Sequence, residues 1–205
     1  MESQVQSRRA FTQQALGSIL TFSLLETLVR HDLFAAEVKP LTTRWLTDVN
    51  QLGLDLKGEK IDQPTWQKKV EELLGQVELA DLLTFIDFDR LAATTSLAER
   101  GERSIRFSFP KVEGVPSDLS FGKQIFALKK DRSVVPHGHN NMATAFIILK
   151  GDLRGRHYDR VKDEDTHMLI KPTIDRKFTP GEFSTVSDYL NNVHWFTALT
   201  EPAYI

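Results

Sequence analysis

The chain has 205 residues, enough for one domain of ordinary size with or without an N-terminal appendage. With 40% hydrophobic and 26% charged residues it can build a packed core, and a net charge of −2 argues against holding nucleic acid by bulk positive charge. The absence of Cys excludes disulfides, iron–sulfur clusters, Cys-ligated zinc and a Cys nucleophile, and no apolar run reaches the ~18 residues of a transmembrane helix.

At the N-terminus, Ser7-Arg8-Arg9-Ala10-Phe11 precedes the apolar stretch Leu16–Leu25. This pattern resembles a bacterial twin-arginine export signal, which implies delivery to the periplasm. The usual Leu-Lys after the core is replaced by Thr12-Gln13, Glu26 closes the apolar stretch, and the nearest small pair is Ala35-Ala36. The alternative is an amphipathic first helix, with Phe11, Ala15, Phe22, Leu25 and Val29 at roughly helical spacing, in a chain that stays cytoplasmic.

Residues 41–100 read as helices. Trp45, Val49, Leu52 and Leu56 share a stripe. Asp62-Gln63-Pro64-Thr65 is a helix start, and Trp66, Val70, Leu73, Leu74 and Val77 repeat behind it. A short helix over Leu79–Phe85 and a further turn from Asp87 complete the set. Trp45 and Trp66 read as core, and Ala93–Arg103 as a linker.

From Ser104 the period changes to two. Ile105, Phe107 and Phe109 alternate with polar residues, and strands are predicted over Ser104–Phe109, Lys123–Lys129, Ser133–His139, Ala143–Lys150, Leu153–Arg160, His167–Lys171, Phe183–Ser187 and Val193–Leu199. Gly151-Asp152 reads as a hairpin turn and Pro180-Gly181 as another turn. The expectation is an α+β chain, mainly β: a leader or first helix over 1–36, a helical region over 37–103, and a β-sandwich or small barrel over 104–205. Ile205 falls inside a stretch that reads as a strand, which leaves room for a longer natural chain.

Two of the six histidines form Pro136-His137-Gly138-His139. In an extended strand, i and i+2 share a face, so both imidazoles enter the same interior. Imidazole is the commonest neutral metal ligand. The alternative for His137 and His139 is a hydrogen-bonded pair at the barrel mouth, and for His194 a core histidine beside Trp195. His157 is read as surface in preference to barrel lining, His167 as part of a solvated loop, and His31 as part of the leader. Arg154, Arg156 and Arg160 read as a charged outer face, and Trp195 and Phe196 as core.

The order His137, His139, Gly151, then Pro180, Gly181 and His194 resembles the two motifs of the cupin superfamily, with Thr144 at the position of the usual Glu. The resemblance covers roughly residues 121–205. It implies a jelly-roll β-barrel and a three-histidine metal site of His137, His139 and His194. Loss of the Glu makes the site similar to that of the thiol dioxygenases, the cysteine and cysteamine dioxygenase group. That likeness implies Fe(II), or another divalent metal such as Zn, Ni or Mn, with O2 and a small thiol-type molecule as co-substrates. An upstream Arg to hold a substrate carboxylate has no clear counterpart; Lys111 lies in about that region without a motif around it. A Cys–Tyr crosslink is excluded. Thr144, Tyr158 and Asp188 are the polar candidates for the pocket. The other readings are a metal-dependent isomerase or lyase, and a cupin that binds a small molecule without turnover. The oligomeric state is open, a dimer included.

Overall fold

The computed structural model describes residues 41–205; the twin-arginine pattern, the alternative first helix and His31 lie outside them. Helix α1 spans Leu41–Lys57 and turns Trp45, Leu46 and Val49 inward. Helix α2 spans Gln63–Leu74 and starts where the sequence predicts. Asp62 accepts from the Thr65 amide at 2.9 Å, and Pro64 sits in the first turn, where no N–H is needed. Helices α3 (Leu79–Phe85) and α4 (Phe88–Ala93) are joined through Asp87, whose φ of 54° is a conformation Asp tolerates. Among the described residues no helix is long and apolar enough to cross a membrane.

Eight strands follow: β1 (Arg103–Ile105), β2 (Ile125–Leu128), β3 (Thr144–Ile147), β4 (Leu153–Asp163), β5 (Met168–Phe178), β6 (Phe183–Val186), β7 (Val193–Ala198) and β8 (Ala203–Tyr204). They pair antiparallel as three sheets, β1-β2-β8, β3-β6 and β5-β4-β7. The expected order, helices first and strands after, is what the chain adopts. The strands make three small antiparallel sheets, so the described chain is mainly β behind its helices, as expected, and no closed barrel is formed among the described residues.

Gly151-Asp152 is not a hairpin turn. The strands on either side, β3 and β4, do not pair with each other. Instead β4 pairs with β5, and β3 with β6, so β3–β4 and β5–β6 form one two-stranded ribbon that bends where both chains turn. Gly151 (φ 75°) and Gly181 (φ 88°) stand at the two bends, in backbone conformations that L side chains rarely adopt. At Gly151 an added Cβ would also meet Pro202 O at 2.8 Å. Across the bend, Ile148 N donates to Glu182 O and Gly181 N to Ile148 O.

Three predicted strands differ in extent. Only Arg103–Ile105 of the first is laddered; Phe107 and Phe109 instead pack on the helices, with Phe109 edge-on to Trp45 at 6.3 Å and stacked on Phe85 at 5.6 Å. Ser133–His139 is an irregular run held by two isolated bridges, Ser133 to Thr197 and His137 to His194. Pro136 within it has no N–H for a ladder. The His167–Lys171 strand runs on to Phe178. Pro172 pairs next to the register shift at His157/Tyr158, on an edge strand where a missing donor is tolerated.

The core has two parts, with β2 between them. Ile125 and Ala127 pack with Trp45, Leu46, Val49, Leu82 and Phe88 on the helix side. Leu128 packs with Leu153, Phe178, Phe196 and Ala198 between the sheets, with Phe126 against them. The histidine cluster lies at the end of this second part.

Candidate metal centre

Strand β7 points His194, Phe196 and Ala198 inward by strand alternation, and all three are buried. The irregular run before β3 is brought alongside by a reciprocal pair of backbone bonds. His194 N donates to His137 O at 3.0 Å, and His137 N donates to His194 O at 3.3 Å. This bridge sets the His137 ring beside that of His194 with centroids 4.6 Å apart. The His139 ring stands 4.9 Å from His137 and 5.1 Å from His194. One ring nitrogen from each of the three lies within 4.8 Å of the others.

Hydrogen bonds fix two of the rings. His137 Nδ1 lies 2.8 Å from Val135 O, and His194 Nδ1 lies 3.1 Å from Asn192 O. A carbonyl only accepts, so each Nδ1 carries the proton and each Nε2 keeps its lone pair. This is the arrangement by which a backbone carbonyl orients a ligating histidine. Burial pushes the His194 imidazolium down to about 3; the bond to Asn192 O opposes this, and the neighbouring rings of His137, His139 and His157 reinforce it. Burial also lowers His139, with His137 adding to the effect and the Asp188 carboxylate opposing it. His194 is therefore neutral at pH 7, with a lone pair to offer.

The donor set suits a divalent transition ion: three imidazoles and, among the described residues, no carboxylate in the cluster. Two nitrogens each ~2.1 Å from one ion stand at most ~4.2 Å apart, so the cluster tightens slightly to hold it.

Thr144, at the start of β3, lines the same cavity as the three histidines. Tyr158 does not. It lies on the opposite face of β4 from His157 and stacks on Trp195, with centroids 5.1 Å apart and planes 9° off parallel. Trp195 is accordingly half-buried on the outer face, with the Arg156 guanidinium 5.8 Å from its ring, and not in the core. Asp188 serves as a clamp: its carboxylate accepts from Asn141 N at 2.7 Å and Gln63 Nε2 at 3.0 Å, tying the loop after His139 to α2.

His157 departs from its surface reading and is fully buried. The arginines of β4 face outward, whereas His157 shares the inner face with Leu153 and Gly155. The space that a Cβ at Gly155 would need is filled by Phe178, 2.5 Å away, and Phe196, 2.8 Å away. His157 is the cross-strand neighbour of His194, with ring centroids 6.0 Å apart, and it stands outside the three-histidine cluster. Its Nε2 is 3.3 Å from Ser184 Oγ, and its Nδ1 is buried without a partner. Burial, with the Arg176 charge, pushes it down to about 4. The alternation Leu153, Gly155, His157 was the available signal.

The cavity beside the cluster holds about 1270 Å³. Near the histidines it is walled by Phe146, Phe196, Val134 and Met142, with the Phe146 centroid 5.1 Å from that of His194. Trp45, Trp66 and Val70 of the helices close another side.

No family model matches the chain, and no curated protein matches it. Solved structures do. One is a cupin superfamily protein from Desulfitobacterium hafniense DCB-2, at 13% identity over 56% of this chain and 81% of that one, with a TM-score of 0.34. A cupin-2 domain containing protein from Shewanella frigidimarina is similar at 14% identity over 58% of this chain and 85% of that one, TM-score 0.31. A hydroquinone 1,2-dioxygenase in complex with Cd2+ and 4-hydroxybenzonitrile is similar at 12% identity over 56% and 65% of the two chains, TM-score 0.33.

Proposed function

We propose that the chain is a cupin that holds a divalent metal on His137, His139 and His194 and oxidises a small molecule with O2. The observation that carries this reading is the convergence of three imidazole nitrogens within 4.8 Å, two of the rings held through Nδ1 by backbone carbonyls. A divalent ion held there supplies Lewis acidity and, as Fe(II), redox chemistry with O2. The three neutral ligands leave its charge uncompensated, which favours an anionic substrate atom such as a thiolate or enolate. Phe146 packs against the His194 ring, and Phe196 packs against Phe146, which makes this side of the cluster apolar. Thr144 offers a hydroxyl to the cavity. The thiol preference rests on the resemblance of the histidine motifs, and export on that of Ser7-Arg8-Arg9-Ala10-Phe11 to a twin-arginine signal.

The test is metal analysis of the purified protein, then oxygen consumption by the Fe(II)-loaded protein with a panel of thiols. Stoichiometric Fe(II) binding that His194→Ala abolishes, with thiol-dependent oxygen uptake, supports the reading. Metal binding without oxygen uptake on any thiol removes the thiol dioxygenase and leaves an oxygenase of another anionic substrate, such as an enolate, or the isomerase or lyase. The apolar wall of the cavity favours one further reading, a binder of apolar small molecules without turnover. Tight ligand binding by metal-free protein would favour it.

A further inference from the structure

Asn192 stands two residues before His194, in the turn that leads into β7, and it is 1% exposed. Its side-chain Nδ2 donates to His139 O at 2.7 Å and to Ser187 O at 3.0 Å. Its main-chain oxygen accepts from His194 Nδ1 at 3.1 Å. One residue thus contacts both sides of the cluster: the backbone of His139 through its amide, and the ring of His194 through its carbonyl. The remaining oxygen, Oδ1, is buried with no hydrogen-bond partner. A Cβ built on Gly138 would stand 2.6 Å from that oxygen. The amide cannot swing away cheaply, because both bonds of Nδ2 hold it. The nearest other atom outside Asn192 is Val193 Cγ2, at 3.5 Å, an ordinary contact. The missing side chain between His137 and His139 therefore makes room for one particular group.

We propose that Asn192 is the positioning residue of the three-histidine site, clamping the His139 backbone to the strand that carries His194, and that Gly138 is required because the Asn192 amide occupies its side-chain space. The proposal rests on the metal reading above. It assigns Asn192 no contact with the ion. Its work is to hold the separation of the His-Gly-His run and β7 within the range that one ion can bridge. Removing the amide leaves two carbonyl oxygens without their donor and frees the run at His139, the ring for which no backbone bond fixes the tautomer.

The experiment is a double-mutant cycle on the full chain, read by Co(II) titration: the dissociation constant and the visible spectrum of the loaded protein, with the melting temperature of the metal-free protein alongside. Asn192→Ala is expected to weaken Co(II) by about 10- to 100-fold, the usual loss for a group that orients a ligand, and to shift the Co(II) bands. Gly138→Ala is expected to weaken Co(II) in the wild-type background and to change little once Asn192 is Ala. Asn192→Asp, which keeps the shape but replaces the donor with a carboxylate facing two carbonyls, should behave like Asn192→Ala and serves if the alanine variant does not fold. Variants that lower only the melting temperature, with dissociation constant and spectrum unchanged, would overturn the proposal, because that is the outcome of a merely structural asparagine. Equal losses from Gly138→Ala in both backgrounds would overturn the assigned fit. Co(II) binding that His194→Ala leaves unaltered would overturn the metal reading itself, and this proposal with it.

Discussion

The two sides of the histidine cluster are built differently. His194 belongs to a regular strand, laddered to β4 and fully buried, and its ring is backed by Phe146 and His157. His137 and His139 belong to an irregular, half-exposed run held by an isolated bridge, the Asn192 amide and the Asp188 clamp. The rigid side sets where a ligand can sit.

Four measurements would break or sharpen that contrast, in decreasing order of expected effect. Phe178 is fully buried beneath the rigid side. Phe178→Ala is expected to cost about 3–5 kcal/mol in denaturant unfolding, and a loss below 1 kcal/mol would show that this floor is not the rigid element described here.

Acid comes next. Burial pushes His157 down to about 4 and His194 down to about 3 from the ordinary 6.5, so the unfolded chain takes up protons first as the pH falls. Stability of the metal-free protein should be full above pH 6.5 and should drain as the pH drops toward 4 and then 3. Urea melts at pH 7 and 4.5 measure it; equal midpoints would contradict the burial of both rings.

The third comparison sets His194→Ala against His137→Ala. Both should weaken metal binding by about 100-fold or more, above the range for outer groups. Only the buried one should also lower the stability of the metal-free protein, by about 1–3 kcal/mol, while His137→Ala should stay within ~0.5 kcal/mol. Similar melting temperatures for the two variants would erase the contrast.

The smallest effect belongs to Asp188→Asn. It keeps one oxygen that can still accept from Asn141 N and Gln63 Nε2, turns the other into an amide NH2 and loses the charge, at a cost of about 1 kcal/mol. The same change removes the one influence that raises His139, so its titration, followed by NMR, should move further down.

Much of the plan is readable in the residues. Asp62 and Pro64 announce α2, because capping and proline are local effects. The alternation of β7 aims His194 inward for the same reason. The strand boundaries were less readable where packing took over from pairing: Phe107 and Phe109 satisfy their apolar faces against helices, not in a ladder. β5 hid behind its charged residues and Pro172, since an edge strand has little apolar face to show. His157 hid because the neighbouring arginines mask a buried face one residue over, and Asn192 because the His139 carbonyl that it holds is distant along the chain.

Local chemistry, then, set the helix starts, the change of period at Ser104 and the pairing of two histidines two residues apart, since each depends on neighbours along the chain. The bend of the β3–β4/β5–β6 ribbon, the arrival of His194 beside that pair, the exclusion of Tyr158 from the cavity and the burial of His157 arose only when remote segments met. Register across strands and the filling of shared space are long-range quantities, and no window of sequence contains both partners.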